Sequence, residues 1–168
     1  MPALDRWSVF LLGSCLGSFL NVVAYHVPRG QSIVFPGSCC PLCRKPIAFY
    51  DNVPILSWLW LFGRCRSCRG AISCRYFFVE LLMAVLSLAV WLRWSEQWLW
   101  AAAVIAACGA LLAIALIDWD TFIIPDELSI GLLIAGLLLA PLNPFFKEGA
   151  WYLHFLASLK GAAIGFFI

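Results

Sequence analysis

Residues 76–117 read YFFVELLMAVLSLAVWLRWSEQWLWAAAVIAACGALLAIALI, which is two long apolar runs separated by a short polar segment. A transmembrane helix needs about 20 mostly apolar residues. The runs Tyr76–Leu92 and Trp98–Ile117 meet or approach this length. The stretch therefore predicts two consecutive helices that cross a lipid bilayer.

Similar apolar runs lie on both sides of this stretch, at Trp7–Tyr25, Leu128–Ala140 and Ala150–Ile168. The chain is 64% hydrophobic and only 12% charged, which is far from the balance of a soluble domain. We therefore expect an all-α polytopic membrane protein with about five transmembrane helices. The first run has one basic residue ahead of it and no small-residue cleavage pattern after it, so we interpret it as a retained helix rather than a signal peptide.

The pattern divides the chain into a first transmembrane helix (residues 1–25), a polar loop (26–75) and a helical core (76–168). The loop sets one acid, Asp51, against seven basic residues: Arg29, Arg44, Lys45, Arg64, Arg66, Arg69 and Arg75. Loops rich in Lys and Arg stay on the cytoplasmic side of a membrane. We therefore expect a cytoplasmic loop and an N-terminus on the opposite, periplasmic face. Alternation of the helices then brings residues 118–126 to the cytoplasmic face as well.

The loop contains two Cys-x-x-Cys pairs, Cys40–Cys43 and Cys65–Cys68, with 21 residues between them. Two such pairs can supply the four thiolates of a closed tetrahedral Zn²⁺ site, and closed Cys₄ sites are structural rather than catalytic. We therefore predict a zinc-knuckle loop. Cys39 could replace Cys40 as a ligand. The alternatives to a metal are reduced cysteines or a pair of disulfides, and a reducing cytoplasm disfavours disulfides.

Three acids, Asp118, Asp120 and Asp126, follow the apolar run that ends at Ile117. The C-terminal end of a helix disfavours negative charge, and carboxylates at the edge of a bilayer usually have a function. Asp118 is our first candidate for chemistry, and a solvated acid is the alternative. Asp126 follows a proline and is expected to be the N-cap of the next helix. Asp120 is expected to be solvated or to support the site.

Several short motifs occur in a fixed order around the paired cysteines. Residues 17–23 read GSFLNVV, residues 75–81 read RYFFVEL, and residues 117–126 read IDWDTFIIPD. Together these motifs resemble the type IV prepilin peptidase family, the leader peptidases and N-methyltransferases of bacterial inner membranes. The resemblance spans essentially the whole chain. It departs from the family pattern at His26, where we expect Arg, and at Phe77, where we expect Pro.

The resemblance implies a membrane aspartyl protease of the GxGD kind, with one catalytic aspartate at Asp118 and a second in a later Gly-x-Gly-Asp motif. These 168 residues contain no such motif, and we expect the sequence to stop in the helix that would precede it. The implied reaction removes the short basic leader from type IV prepilins or type II secretion pseudopilins at the cytoplasmic face. The two aspartates would activate water, and the new N-terminus would then be N-methylated from S-adenosylmethionine.

Two polar residues inside the predicted helices, Asn21 and Glu80, either line the substrate entry or form hydrogen bonds between helices. The resemblance favours a functional role for Glu80. It also places the methyl-donor site in the cytoplasmic loop, with Gly63 as the candidate, although the glycine-rich fingerprint of a soluble nucleotide-binding fold is absent. The expected partners are the prepilin or pseudopilin substrate and membrane lipid, with no nucleic acid.

A different class of function fits the same features. The chain could be a non-enzymatic membrane adaptor that presents a zinc knuckle to a cytoplasmic partner, or an inactive relative of the peptidases. A Gly-x-Gly-Asp motif in the sequence that follows residue 168 would favour the peptidase, and its absence would favour the adaptor.

Overall fold

The computed structural model describes residues 5–34, 37–144 and 151–166, and within these ranges every regular element is helical. The six α-helices are α1 (Arg6–His26), α2 (Leu56–Trp60), α3 (Cys74–Trp94), α4 (Trp98–Thr121), α5 (Asp126–Leu139) and α6 (Trp151–Phe166). Short 3₁₀ turns follow α1, α3 and α5, and another precedes α2. Two isolated antiparallel β-bridges, Cys39–Pro46 and Arg64–Ala71, lie in the loop between α1 and α3.

Helices α1 and α3 pack closely because glycines on α1 remove the side chains that would hold them apart. A Cβ added to Gly13 would lie 2.7 Å from the Cβ of Ser87, and one added to Gly17 would lie 2.7 Å from the Cα of Glu80. Small residues of this kind let helix backbones approach each other in membranes. Gly13 faces the later α3 residue and Gly17 the earlier one, so the two helices are antiparallel.

Helix α4 completes a three-helix bundle with α1 and α3. The buried cluster joins Leu20 on α1, Met83 on α3 and Ala113 on α4, and Met83 is fully buried. These residues lie in the C-terminal halves of α1 and α4 and in the N-terminal half of α3. The buried cluster therefore lies toward the end from which the 26–75 loop emerges and where α4 carries the acids.

Two segments are long and apolar enough to cross a membrane, Arg6–Arg29 and Cys74–Thr121. The second is 48 residues long and contains both α3 and α4, which fold back on each other at the turn Ser95–Gln97. Helix α5 has 14 residues and the described part of α6 has 16, so neither reaches the 18 residues that this criterion requires. Helices thus lie along the five apolar runs, and the number of five spans stays a prediction.

The end of α4 corrects one expectation about the acids. Phe122 adopts a left-handed conformation with φ of 54°, which ends α4, and α5 begins at Asp126 with Pro125 at the N-cap position. The side chain of Asp126 makes no cap hydrogen bond, so the prediction that it is the N-cap was wrong. Pro125 takes that position because its fixed φ suits the entry to a helix. Asp126 and Glu127 instead lie in the first turn, where the helix dipole favours negative charge.

Candidate functional site: a cysteine cluster beside the membrane acids

The loop between α1 and α3 contains two Cys-x-x-Cys turns, residues 40–45 and 65–70, which we call the first and second knuckle. The two knuckles have the same backbone hydrogen bonds. In the first, the N–H of Cys40 donates to the carbonyl of Lys45 at 3.0 Å, and the carbonyl of Cys40 accepts from the N–H of Arg44 at 2.8 Å. In the second, Cys65 makes the same two bonds, both at 2.9 Å, with the residues five and four positions later. Both knuckles turn through a left-handed residue, with φ of 56° at Arg44 and 58° at Arg69. Each Cys-x-x-Cys pair is thus held in a tight turn.

The two knuckles face each other and bring the four predicted ligands together. The sulfur atoms of Cys40, Cys43, Cys65 and Cys68 all lie within 4.8 Å of one another, and those of Cys40 and Cys68 are 3.8 Å apart. Four sulfurs at about 2.3 Å from a central Zn²⁺ form a tetrahedron with edges of about 3.8 Å. The cluster therefore fits a tetrahedral zinc ion. It uses Cys40 rather than Cys39, as the regular spacing predicted.

The thiols of the cluster influence each other's protonation. The backbone N–H groups of Cys43 and Leu42 lower the pKa of Cys40 to about 6, because they donate hydrogen bonds to its thiolate. At Cys68 the N–H of Gly70 acts in the same direction, but burial and the other three thiols outweigh it and raise the pKa to about 11. Four adjacent thiolates thus need a cation, and Zn²⁺ would hold all four deprotonated.

An ion pair and an indole ring brace the second knuckle. Asp51 accepts two hydrogen bonds from the guanidinium of Arg66, each at 2.7 Å, and this hydrogen bonding holds the pKa of Asp51 below its usual value. Gly63 has φ of 63°, and a Cβ there would lie 2.8 Å from the indole of Trp58. The absence of a side chain at Gly63 therefore has a structural cause.

The loop is tied to the bundle by Glu80, which is only 7% exposed. The carboxylate of Glu80 accepts a hydrogen bond from the backbone N–H of Ile55 at 2.7 Å, and Ile55 has φ of 64°. Beside this bond the rings of Trp58 and Phe77 lie 5.2 Å apart. Asn21 is also buried, and its amide donates to the carbonyl of Gly17 in its own helix at 3.3 Å. Glu80 thus joins two parts of the chain, whereas Asn21 bonds within α1.

The acids at the end of α4 have different surroundings. Both carboxylate oxygens of Asp120 lie 2.6 Å from one guanidinium nitrogen of Arg75, so the start of α3 is paired with the end of α4. Asp118 is exposed, and no described side chain forms a hydrogen bond or an ion pair with its carboxylate. Asp126 is also exposed, at the start of α5. The carboxylate of Asp120 is therefore paired with Arg75, while the carboxylate of Asp118 is open to an incoming group.

Sequence reasoning missed three contacts that shape this site: Ile55–Glu80, Arg75–Asp120 and Asp51–Arg66. The single acid in a basic loop was a signal for the third contact. The first two join residues 25 and 45 positions apart, and no local pattern indicates such pairs. Sequence reasoning also treated the apolar run VPILSWLWLF at 53–62 only as part of the loop, although its composition was visible.

Comparison with known proteins bears directly on this arrangement. The family model described as the bacterial peptidase A24 N-terminal domain matches residues 11–94, which include most of α1, both knuckles and α3. The model of the type IV leader peptidase family matches residues 105–168, which include the three acids. The chain belongs to the type IV leader peptidase family. No solved structure matches the chain.

Several relatives within the type IV leader peptidase family share one name. A prepilin leader peptidase/N-methyltransferase of Aeromonas hydrophila is 39% identical, over 89% of this chain and 59% of the relative. A protein of the same name from Myxococcus xanthus (strain DK1622) is 42% identical, over 94% of this chain and 45% of the relative. One from Klebsiella pneumoniae is 38% identical, over 94% and 68%. The chain thus spans about half to two thirds of the length of these relatives.

Proposed function

We propose that this chain is part of a prepilin leader peptidase that cleaves the basic leader of type IV prepilins or type II secretion pseudopilins. The single observation that carries the proposal is the open carboxylate of Asp118, which lies on the last turn of α4 beside the Arg75–Asp120 ion pair. The names of the relatives support the choice of substrate. The peptidase would lie in the bacterial inner membrane with five spans, an N-terminus in the periplasm and the 26–75 loop in the cytoplasm.

The proposed chemistry needs two carboxylates that share one proton. One carboxylate, ionised, takes a proton from water, while the other, neutral, polarises the scissile carbonyl and then protonates the departing amine. We assign one of these roles to Asp118 and the other to the aspartate of a Gly-x-Gly-Asp motif, which these 168 residues do not contain. The two groups would titrate as a unit, so acid and base are properties of the pair.

The other site residues receive supporting roles in this proposal. Asp120, neutralised by Arg75, would fix the end of α4 and hence the position of Asp118 two residues earlier. Glu80 would fix the loop at the membrane surface through Ile55. Asn21 and Asp126 would lie near the substrate entry at the same end of the bundle. The Cys₄ cluster would hold a structural Zn²⁺ and take no part in the reaction.

Methylation of the new N-terminus from S-adenosylmethionine is the second proposed activity, supported by the names of the relatives. No cradle for this cofactor is evident among the described residues. Gly63, our candidate for its site, packs against Trp58, so its conformation already has a structural explanation. We therefore derive no step through the cofactor, and Gly63 stays a candidate whose two possible roles a substitution can separate.

Cleavage is tested with the protein expressed from its complete reading frame in membranes, with a prepilin substrate whose loss of leader is followed by mass. Asp118→Asn is expected to abolish cleavage because an amide can neither accept the proton of water nor donate one to the amine. Asp120→Asn and Asp126→Asn are the matched controls and are expected to leave measurable activity. Wild-type cleavage by Asp118→Asn would overturn the assignment, and the zinc-knuckle adaptor would then be the better description.

A further inference from the structure

The segment between the two knuckles exposes more apolar surface than a solvated loop carries. Residues 53–62, which we name the apolar bridge, read VPILSWLWLF and include the one-turn helix α2. Leu56 is 60% exposed, Trp60 80% and Phe62 86%. The bridge also lines an open groove of about 820 Å³. Large contiguous apolar patches of this kind mark a surface that contacts another molecule or a membrane.

The height of the bridge along the bundle is fixed by its contacts with α3. This helix has 21 residues and is about 31 Å long, close to the thickness of the hydrocarbon core, so nearly all of it is needed to cross a bilayer. Ile55 contacts Glu80, which lies about 9 Å along α3, and Trp58 contacts Phe77, about one turn along. The bridge therefore lies beside the first two turns of a membrane helix rather than in the solvent beyond it.

The residues that flank the bridge complement a lipid surface. Arg64 and Arg69 follow it in the second knuckle, and Arg44 and Lys45 lie in the first; all four are exposed. Basic side chains near a membrane are attracted to the anionic headgroups of the cytoplasmic leaflet. Trp is also enriched where the chain meets headgroups, because its ring is apolar and its N–H is polar. Apolar side chains framed by exposed basic residues are typical of a segment that lies in the interface.

We propose that the apolar bridge lies in the cytoplasmic interface of the bilayer, with Trp60 and Phe62 among the lipid headgroups and upper acyl chains. The two knuckles then contact the membrane surface through the apolar bridge that connects them. A lipid occupant is favoured over the apolar helix of a substrate because the position of the bridge beside α3 already places it at the lipid surface. This proposal does not depend on leader cleavage.

The test places a photoreactive benzoyl-phenylalanine at position 60 or 62 of the full-length protein in nanodiscs of phosphatidylethanolamine and phosphatidylglycerol. Phe49 is the matched control position, because it is aromatic, 88% exposed and lies in the same loop outside the bridge. After illumination, lipid adducts are measured by mass. The adduct yield at 60 and 62 is expected to exceed that at 49, because the proposal places only the bridge among the lipids.

Zinc content is measured for each variant, so that only protein with an intact loop is compared. Absence of lipid adducts at both 60 and 62 in zinc-loaded protein would overturn the proposal, as would equal yields at all three positions. A third arm adds a prepilin peptide that includes its apolar segment. Replacement of the lipid adduct by a peptide adduct would overturn the proposal in favour of a substrate groove, whereas persistence of the lipid adduct would support it.

Discussion

At the scale of single residues, the cysteines show how far spacing alone can specify a site. The sequence offers Cys39 and Cys40 as neighbours, and only the latter has a sulfur inside the cluster. Spacing predicted the four cysteines whose sulfurs cluster because each knuckle is a local turn. The chain needs only six or so consecutive residues to form one, and the required hydrogen bonds are within the turn itself.

Substitution of Cys40 and of its neighbour Cys39 should therefore have different effects on zinc content. Cys40→Ser is expected to lower zinc from about one ion per chain to near zero, because a hydroxyl is a poor substitute for one of four thiolates. Cys39→Ser should keep the wild-type content, since its side chain is exposed and outside the cluster. Elemental analysis of the purified variants measures both. Zinc loss from the Cys39 variant alone would show that the ligand set is wrong.

Gly63 is a second position where one atom matters. Gly63→Ala combines a left-handed backbone, which costs roughly 1–2 kcal/mol for a residue with a Cβ, with the indole of Trp58 at 2.8 Å. Gly30→Ala is the control, since Gly30 has φ of 61° and no atom near the added Cβ. We expect Gly63→Ala to loosen the loop more, measured as faster proteolysis and lower zinc content.

The same pair of variants separates the two roles of Gly63 when methylation is measured. Loss of methylation together with zinc indicates that the substitution acts through the loop. Loss of methylation with zinc and leader cleavage both intact would assign Gly63 to the methyl-donor site.

At the scale of elements, α3 is the helix on which the other parts are assembled. It packs against the glycine-lined face of α1, its Glu80 holds the loop, and its Arg75 pairs with the end of α4. The apolar runs predicted where α1, α3 and α4 lie, because hydrophobic length is a local property. They could not predict these three contacts, because each one depends on how distant segments come together.

The role of Glu80 is tested by one substitution that keeps a hydrogen-bond acceptor and one that removes it. Glu80→Gln keeps a side-chain oxygen that can accept from the N–H of Ile55, whereas Glu80→Ala leaves that N–H without its partner. An unsatisfied polar group of this kind costs about 1–3 kcal/mol. We expect the alanine variant to expose the loop to protease sooner than the glutamine variant, which should resemble the wild type. Equal sensitivity of the two variants would argue against the hydrogen bond as the attachment.

At the scale of the whole molecule, the Arg75–Asp120 contact requires that the start of α3 and the end of α4 share one side of the membrane. The turn Ser95–Gln97 must then lie on the other side, since α3 and α4 are each long enough to cross. Alternation of the helices had predicted that the loop and the acids share one face, and the contact is consistent with that expectation. The basic residues predict that this face is cytoplasmic, which stays a prediction.

Reporter fusions can determine this orientation. Alkaline phosphatase, which is active only after export, is expected to be active when fused after Gln97 and inactive when fused after Gly30. The basic loop stays in the cytoplasm under the positive-inside rule, and one crossing by α3 separates it from the turn. The reverse pattern would place the loop and Asp118 outside and would exclude a cytoplasmic cleavage site.

The hydrogen bond between Ile55 and Glu80 also implies an order in which the loop can form and attach during synthesis. All four cysteines of the cluster precede residue 69, so both knuckles leave the ribosome before Glu80 and would be free to bind a metal first. Glu80 is made later, and only then does the bundle offer the loop a point of attachment. The chain would thus mature in two stages, a metal-clamped nascent loop first and its docking afterwards. A shortage of zinc would therefore affect the folding of the loop before Glu80 can attach it to the bundle.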